Sequence, residues 1–180
     1  MGRYVALLRG INVGGNNTVK MSDLKASFEA AGFENVRTHI NSGNVLFESA
    51  GSDPAKLTAR VETILAKTFG GSLRALVCSH RQLQSIVKNA PKGFGAKPAE
   101  YHSDVIFLMP PLTVEEAMSV VSLREGVDQV WQGRDVLYFA RLSARRVQSR
   151  LGKIIGTKPY QSMTIRSWST TTKLLALLDA

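Results

Sequence analysis

VRTHINSGNVLFE, residues 36–48, is two short strands and the turn that joins them. Val36–Ile40 and Val45–Glu48 are built from strand-favouring residues. Asn41-Ser42-Gly43-Asn44 between them is a hairpin turn of residue types that tolerate positive φ. Upstream, Tyr4–Arg9 is apolar on both alternating faces, which predicts a central strand. A helix is expected from about Ser22 to Ala31, with Leu24 and Phe28 facing inward and Gly32 as its stop. Downstream, Asp53 caps and Pro54 opens a second helix whose buried stripe is Leu57, Val61, Ile64 and Leu65, ended by Gly70-Gly71. Leu73–Cys78 follows as a fourth strand, and His80–Asn89 as a short helix with Leu83, Ile86 and Val87 inside. The order is βαββαβ plus one helix, the pattern of a ferredoxin-like unit.

The same order recurs after a Pro- and Gly-bearing stretch that holds Pro91, Gly93, Gly95 and Pro98. Asp104–Met109 is a strand broken by Pro110-Pro111, and Thr113 caps a helix to about Val121. Val127–Gln132 and Asp135–Ala140 pair across Gly133-Arg134. Ser143 caps a helix carrying Val147, Leu151, Ile154 and Ile155, stopped by Gly156. Ser162–Arg166 is the last strand and Thr170–Leu178 the closing helix. The expected fold class is α+β: two tandem ferredoxin-like (βαββαβ plus one helix) subdomains with mostly antiparallel sheets. Residues 1–90 form the first lobe, 91–99 a linker and 100–180 the second lobe. The residues themselves hardly match between the halves, so the repeat is one of pattern.

Composition bounds the function. A chain of 180 residues, 44% hydrophobic, is long enough to bury a proper core. A single cysteine, Cys78, excludes an intramolecular disulfide and any cysteine-based zinc cluster. No apolar run reaches the roughly 20 residues of a membrane span. Met1-Gly2-Arg3 leads at once into a strand pattern without a signal peptide. A soluble, cytoplasmic protein with no membrane partner is expected. The formal net charge of +9, from 23 basic and 14 acidic residues, brings polyanions and phosphorylated ligands into consideration.

Right-handed crossovers place the loop after the first strand, the 41–44 hairpin and the loop entering the fourth strand at one end of the first sheet. These loops, 10–21, 41–44 and 70–72, contain no Asp or Glu; the first acidic residue in the chain is Asp23. A site without carboxylates does not suit Mg²⁺ or Ca²⁺. Backbone N–H groups, amide side chains, Arg9, Lys20 and a helix N-terminus converging there suit an anion. The candidate ligand-binding residues are Arg9, Gly10, Asn12, Gly14, Gly15, Asn16, Ser42 and Asn44. Gly10-Ile11-Asn12-Val13-Gly14-Gly15 is neither G-x-G-x-x-G nor a Walker A loop. The plain alternative is that its glycines allow the turn and its asparagines satisfy backbone groups.

Three runs, LLRGINVGG (7–15), NSGNVLF (41–47) and TIRSWSTTTKLLALL (164–178), resemble the signature runs of the bacterial domain-of-unknown-function family 1697. The resemblance covers nearly the whole chain. It implies a small cytosolic α+β protein with ferredoxin-like subdomains and brings no catalytic residues. The family's C-terminal run usually reads Arg-Asn-Trp, where this chain has Arg166-Ser167-Trp168.

Other constellations are weaker. Cys78 and His80 could form a thiol–imidazole pair only with a third group to orient the base. Glu100, His102 and Asp104 alternate as a metal set would, yet strand entries are commonly polar. Arg37 and His39 lack the aromatic neighbours of an RNA-binding sheet. Trp168 and Lys173 read as packing and surface. Arg146, Arg150 and Lys153, with Arg145 beside them, form a basic stripe on the expected helix from Ser143, joined by Arg134, Arg141 and Lys158. The leading expectation is a binding module for a small anionic or phosphorylated ligand at the Gly10–Asn17/Asn41–Asn44 edge. A weak nucleic-acid binder using the stripe is the alternative, and an enzyme of unknown reaction the second alternative. No metal and no cofactor is expected.

Overall fold

The computed structural model describes residues 1–15 and 17–180. The chain forms two compact units: residues 1–84 with 174–180, and residues 85–173. Sequence reading puts the break at the Pro- and Gly-bearing stretch 91–99, whereas these units part after Gln84 and again after Lys173.

In the first unit β1 (Gly2–Leu8), β2 (Glu34–His39), β3 (Asn44–Ser49) and β4 (Ala75–Ser79) make one antiparallel sheet in the order β2-β3-β1-β4. β1 is central, as its two-sided apolar pattern requires, and its residues from Tyr4 to Leu8 are all buried. Two helices connect the strands, α1 (Met21–Ala30) and α2 (Pro54–Phe69). Their apolar stripes, Leu24 and Phe28 on α1 and Leu57, Val61 and Leu65 on α2, meet Tyr4, Ala6, Leu8, Val45, Phe47 and Val77 in one core. Phe28, Phe33 and Phe47 form its ring cluster, with centroids 4.5–5.5 Å apart. Each such fully buried side chain contributes about 1.5–3 kcal/mol.

Caps decide where the helices start. Asp53 accepts the N–H of Ala55 with Pro54 following, the cap expected from sequence. By contrast α1 opens at Met21, one residue before the expected start, and its cap position is Lys20 with no side-chain bond. α3 (His80–Lys88) follows β4 directly.

The second unit repeats the sheet order. β5 (Tyr101–Leu108), β6 (Asp128–Gln132), β7 (Val136–Leu142) and β8 (Met163–Ser167) are antiparallel in the order β6-β7-β5-β8. α4 (Val114–Ser119) opens with a capping box between Thr113 and Glu116. α5 (Trp168–Asp179) ends the chain's order of elements.

The helix expected from Ser143 is absent. Three 3-10 turns, Ser143–Gln148, Leu151–Ile154 and Pro159–Ser162, occupy this stretch. The reason is a competing acceptor. An α-helix needs the N–H of Arg150 for the carbonyl of Arg146, but that N–H donates to Asp128 Oδ2 at 2.8 Å. Ser149 takes extended backbone angles, and its hydroxyl accepts the N–H of Leu151 at 3.2 Å. Leu151 and Ile154 are buried as expected, but Val147 is 94% exposed and Ile155 64% exposed.

Stretch 91–99 is not bare linker either. Phe94 stands edge-on to Trp131, Tyr138 and Trp168, with centroids 5.9, 5.4 and 5.1 Å away. Gly95, at φ +72°, lies so close to Trp168 that a Cβ there would fall 1.9 Å from indole Cδ1. Only glycine fits.

Candidate ligand-binding edge of the first unit

The register of β1 brings the expected loops together. Leu7 pairs with Asn44 across β1 and β3. One residue on, the N–H of Leu8 donates to the carbonyl of Gly43 at 2.8 Å, and that of Arg9 to the carbonyl of Arg74 at 2.9 Å. The end of β1 is thus bonded both to the hairpin turn and to the segment entering β4.

Asn12 ties the edge together. Its Nδ2 donates to the carbonyls of Val19 at 2.9 Å and Asn41 at 2.8 Å, while its Oδ1 accepts the N–H of Val19 at 2.8 Å. One amide therefore closes the glycine loop on itself and staples it to the hairpin. It does so at φ 54°, a conformation that asparagine tolerates better than most residues. Asn17 Nδ2 donates to the carbonyl of Gly10 at 3.1 Å. Asn44 is fully buried, its Nδ2 donating to the carbonyl of His39 at 3.0 Å and to Ser42 Oγ at 3.1 Å. Arg9, Ser42 and Asn44 each have a further interaction within the chain. The amides expected to meet a ligand are thus engaged in holding the backbone, and Asn16 lies outside the described residues.

The loop backbone is what these ties present outward. Gly10, Gly14 and Gly15 have φ of 66°, 60° and 77°, are exposed, and have no atom within 4 Å of where a Cβ would stand. The uncapped first turn of α1 follows, with Lys20 exposed at its entrance. Gly43 is different: a Cβ there would lie 2.7 Å from Leu8 Cβ and 2.8 Å from Ile11 Cδ1, so this glycine is demanded by packing.

Sequence reading missed three features of the edge. Val13 is 66% exposed and Ile40 51% exposed, and Ile40 holds φ 51°, which a β-branched residue rarely adopts. Glu62 on α2 also reaches the segment entering β4. It accepts the N–H of Ala75 at 3.1 Å and lies 3.5 Å from Arg74. Periodicity marked Leu57, Val61 and Leu65 but said nothing of the polar position between them.

The remaining candidates separate. His80 Nε2 lies 2.6 Å from Asp179 Oδ1, and Cys78 is buried in β4, so His80 is engaged by a carboxylate rather than poised as base to a thiol. Glu100 pairs with Lys97 at 3.4 Å, while His102 Nε2 lies 3.5 Å from Asp104 Oδ1, and Arg141 lies 3.9 Å from Asp104 Oδ2. Burial raises the Asp104 pKa above its ordinary value, opposed by the charges of His102 and Arg141. No group of three or more metal-ligating side chains occurs among the described residues. Arg145, Arg146 and Lys153 sit on two separate 3-10 turns with Arg150 between them, and not on one helical face; Arg145 donates to Gln148 Oε1 at 2.8 Å. Arg37 donates to the carbonyl of Leu177 at 2.8 Å. A separate open cleft of about 640 Å³, with Arg3, Lys25, Arg37, Glu29 and Glu48 among its lining residues, lies away from the glycine loop.

A family model described as a protein of unknown function (DUF1697) matches residues 1–138. Among solved structures, a conserved bacterial protein from Streptococcus pneumoniae is similar at 28% identity and a TM-score of 0.85, over 98% of each chain. No curated protein matches the chain.

Proposed function

The chain belongs to the DUF1697 family of proteins of unknown function, and on that footing we propose that it is a binding module whose glycine loop takes a small anionic or phosphorylated ligand. The observation that carries the reading is the outward-facing backbone of Gly10, Gly14 and Gly15, pinned by Asn12 and set beside the uncapped start of α1. Successive main-chain N–H groups in a turn can form an anion-binding concavity, and the positive end of a helix favours negative charge. In this reading the ligand contacts are main-chain N–H groups and Lys20. Asn12, Ser42 and Asn44 hold the frame, and Arg9 acts through its strand end. Each unit is, in the same proposal, a ferredoxin-like lobe, supported by the recurring sheet orders β2-β3-β1-β4 and β6-β7-β5-β8. No described helix is long and apolar enough to cross a membrane.

The test is a titration of ¹⁵N-labelled protein with inorganic phosphate and with a nucleoside diphosphate. Saturable shifts should appear at the amides of Gly10, Gly14, Gly15 and residues 21–23. Lys20→Glu should weaken binding roughly tenfold, the worth of one charge-assisted hydrogen bond of about 1.5 kcal/mol. Amides that do not move at millimolar phosphate would make the loop a turn and nothing more.

A further inference from the structure

Between Asp135 and Asp179 the chain has eight basic residues and no acidic one, so this run accounts for +8 of the total charge of +9. Its middle is the stretch of 3-10 turns that replaces the expected helix. Buried Leu151 and Ile154 anchor these turns, while Arg145, Arg146, Lys153 and Lys158 are exposed. Two aliphatic side chains stand out among these cations: Val147, 94% exposed directly after Arg145-Arg146, and Ile155, 64% exposed two residues after Lys153. Helical periodicity would have buried both. Instead, the capture of the Arg150 N–H by Asp128 turns them outward.

From this combination we propose that residues 143–158 dock the protein on an anionic phospholipid surface. Lipid phosphates at the headgroup level complement the cations, and the acyl boundary below takes valine and isoleucine side chains out of water. A nucleic-acid backbone would complement the cations but leave Val147 and Ile155 in solvent. The surface lies on the bilayer: no described helix is long and apolar enough to cross it. The proposal stands independently of the glycine loop.

Sedimentation of the full chain with vesicles of phosphatidylcholine containing one third phosphatidylglycerol tests it. The protein should pellet with these vesicles and not with pure phosphatidylcholine, and salt should release it. Each cation near such a surface is worth about a fivefold change in partitioning, so the double variant Arg145→Glu/Arg146→Glu should lose on the order of 25-fold or more. Val147→Ser and Ile155→Ser, which remove the aliphatic side chain without adding charge, should each lose several-fold with an unchanged circular dichroism spectrum, since both side chains are exposed. Failure to pellet overturns the proposal. So does undiminished binding of the two serine variants, which would leave charge alone at work. Preferential retention on duplex RNA or DNA in competition with the vesicles would overturn it in favour of nucleic acid.

Discussion

Replacing Asn12 by alanine should destabilise the first unit far more than the loss of an exposed loop residue normally does. The amide makes three bonds to backbone, with Val19 O, Asn41 O and Val19 N, at 2.8–2.9 Å. At a net value of about 1 kcal/mol each they amount to roughly 3 kcal/mol, reduced to about 2 because the freed groups near the surface regain water. Alanine at φ 54° adds about 1 kcal/mol for a left-handed backbone. The sum, about 3 kcal/mol, corresponds to a fall in Tm of about 6–12 °C for a chain of this size. Urea unfolding followed by far-ultraviolet circular dichroism measures it. Hydrogen exchange at the Val19 amide reports the same event locally, because that N–H loses its acceptor. Asn12→Gly divides the two contributions: it loses the bonds but keeps the backbone freedom, so it should fall between wild type and Asn12→Ala. An Asn12→Ala protein within 0.5 kcal/mol of wild type, with a Val19 amide as protected as before, would refute the assignment of Asn12 as the tie between loop and hairpin.

Gly43→Ala forces a Cβ against Leu8 and Ile11 at a positive φ and should cost about 2–4 kcal/mol in the same unfolding assay; a change under 1 kcal/mol would contradict the packing described. Gly95→Ala should displace the Trp168 indole, shifting and weakening tryptophan fluorescence without unfolding the sheet, and an unaltered emission spectrum would count against it. For Asp104, burial holds the native-state pKa above the ordinary value of 3.8. The native state therefore binds this proton more tightly than the unfolded chain. Stability from this group is fully present below the ordinary value and is lost as pH rises through the raised one. Asp104→Asn should remove that decline, so its stability relative to wild type should improve from acid toward neutral pH, as urea midpoints across a pH series would reveal.

What sequence made legible was whatever depends on neighbours along the chain. The cap at Asp53-Pro54, the Thr113 start, the glycine stops at Gly32 and Gly70 and the hairpin at 41–44 are all local chemistry, and all appear where expected within a residue or two. Illegible was whatever depends on a distant acceptor. Val147, Leu151, Ile154 and Ile155 fit a helical stripe, and nothing near them in sequence announces that Asp128 will take the N–H of Arg150. The candidate edge divides the same way. That loops 10–21 and 41–44 meet was readable from topology. That Asn12 and Asn44 would be consumed by main-chain groups was not, because an asparagine facing a ligand and one facing a carbonyl look alike in a string of letters.

The ring contacts of Phe94 bear on how this chain can be cut into pieces. A fragment beginning at residue 100, the natural choice for anyone trusting prolines and glycines, would strip Phe94 from Trp131, Tyr138 and Trp168. It would also remove the carbonyl of Ile86, which accepts the Tyr138 hydroxyl at 2.6 Å. Such a fragment bares an aromatic face beside an orphaned phenol, a surface prone to self-association. A boundary at Ser85 keeps both the ring and the carbonyl, and expression trials should favour it.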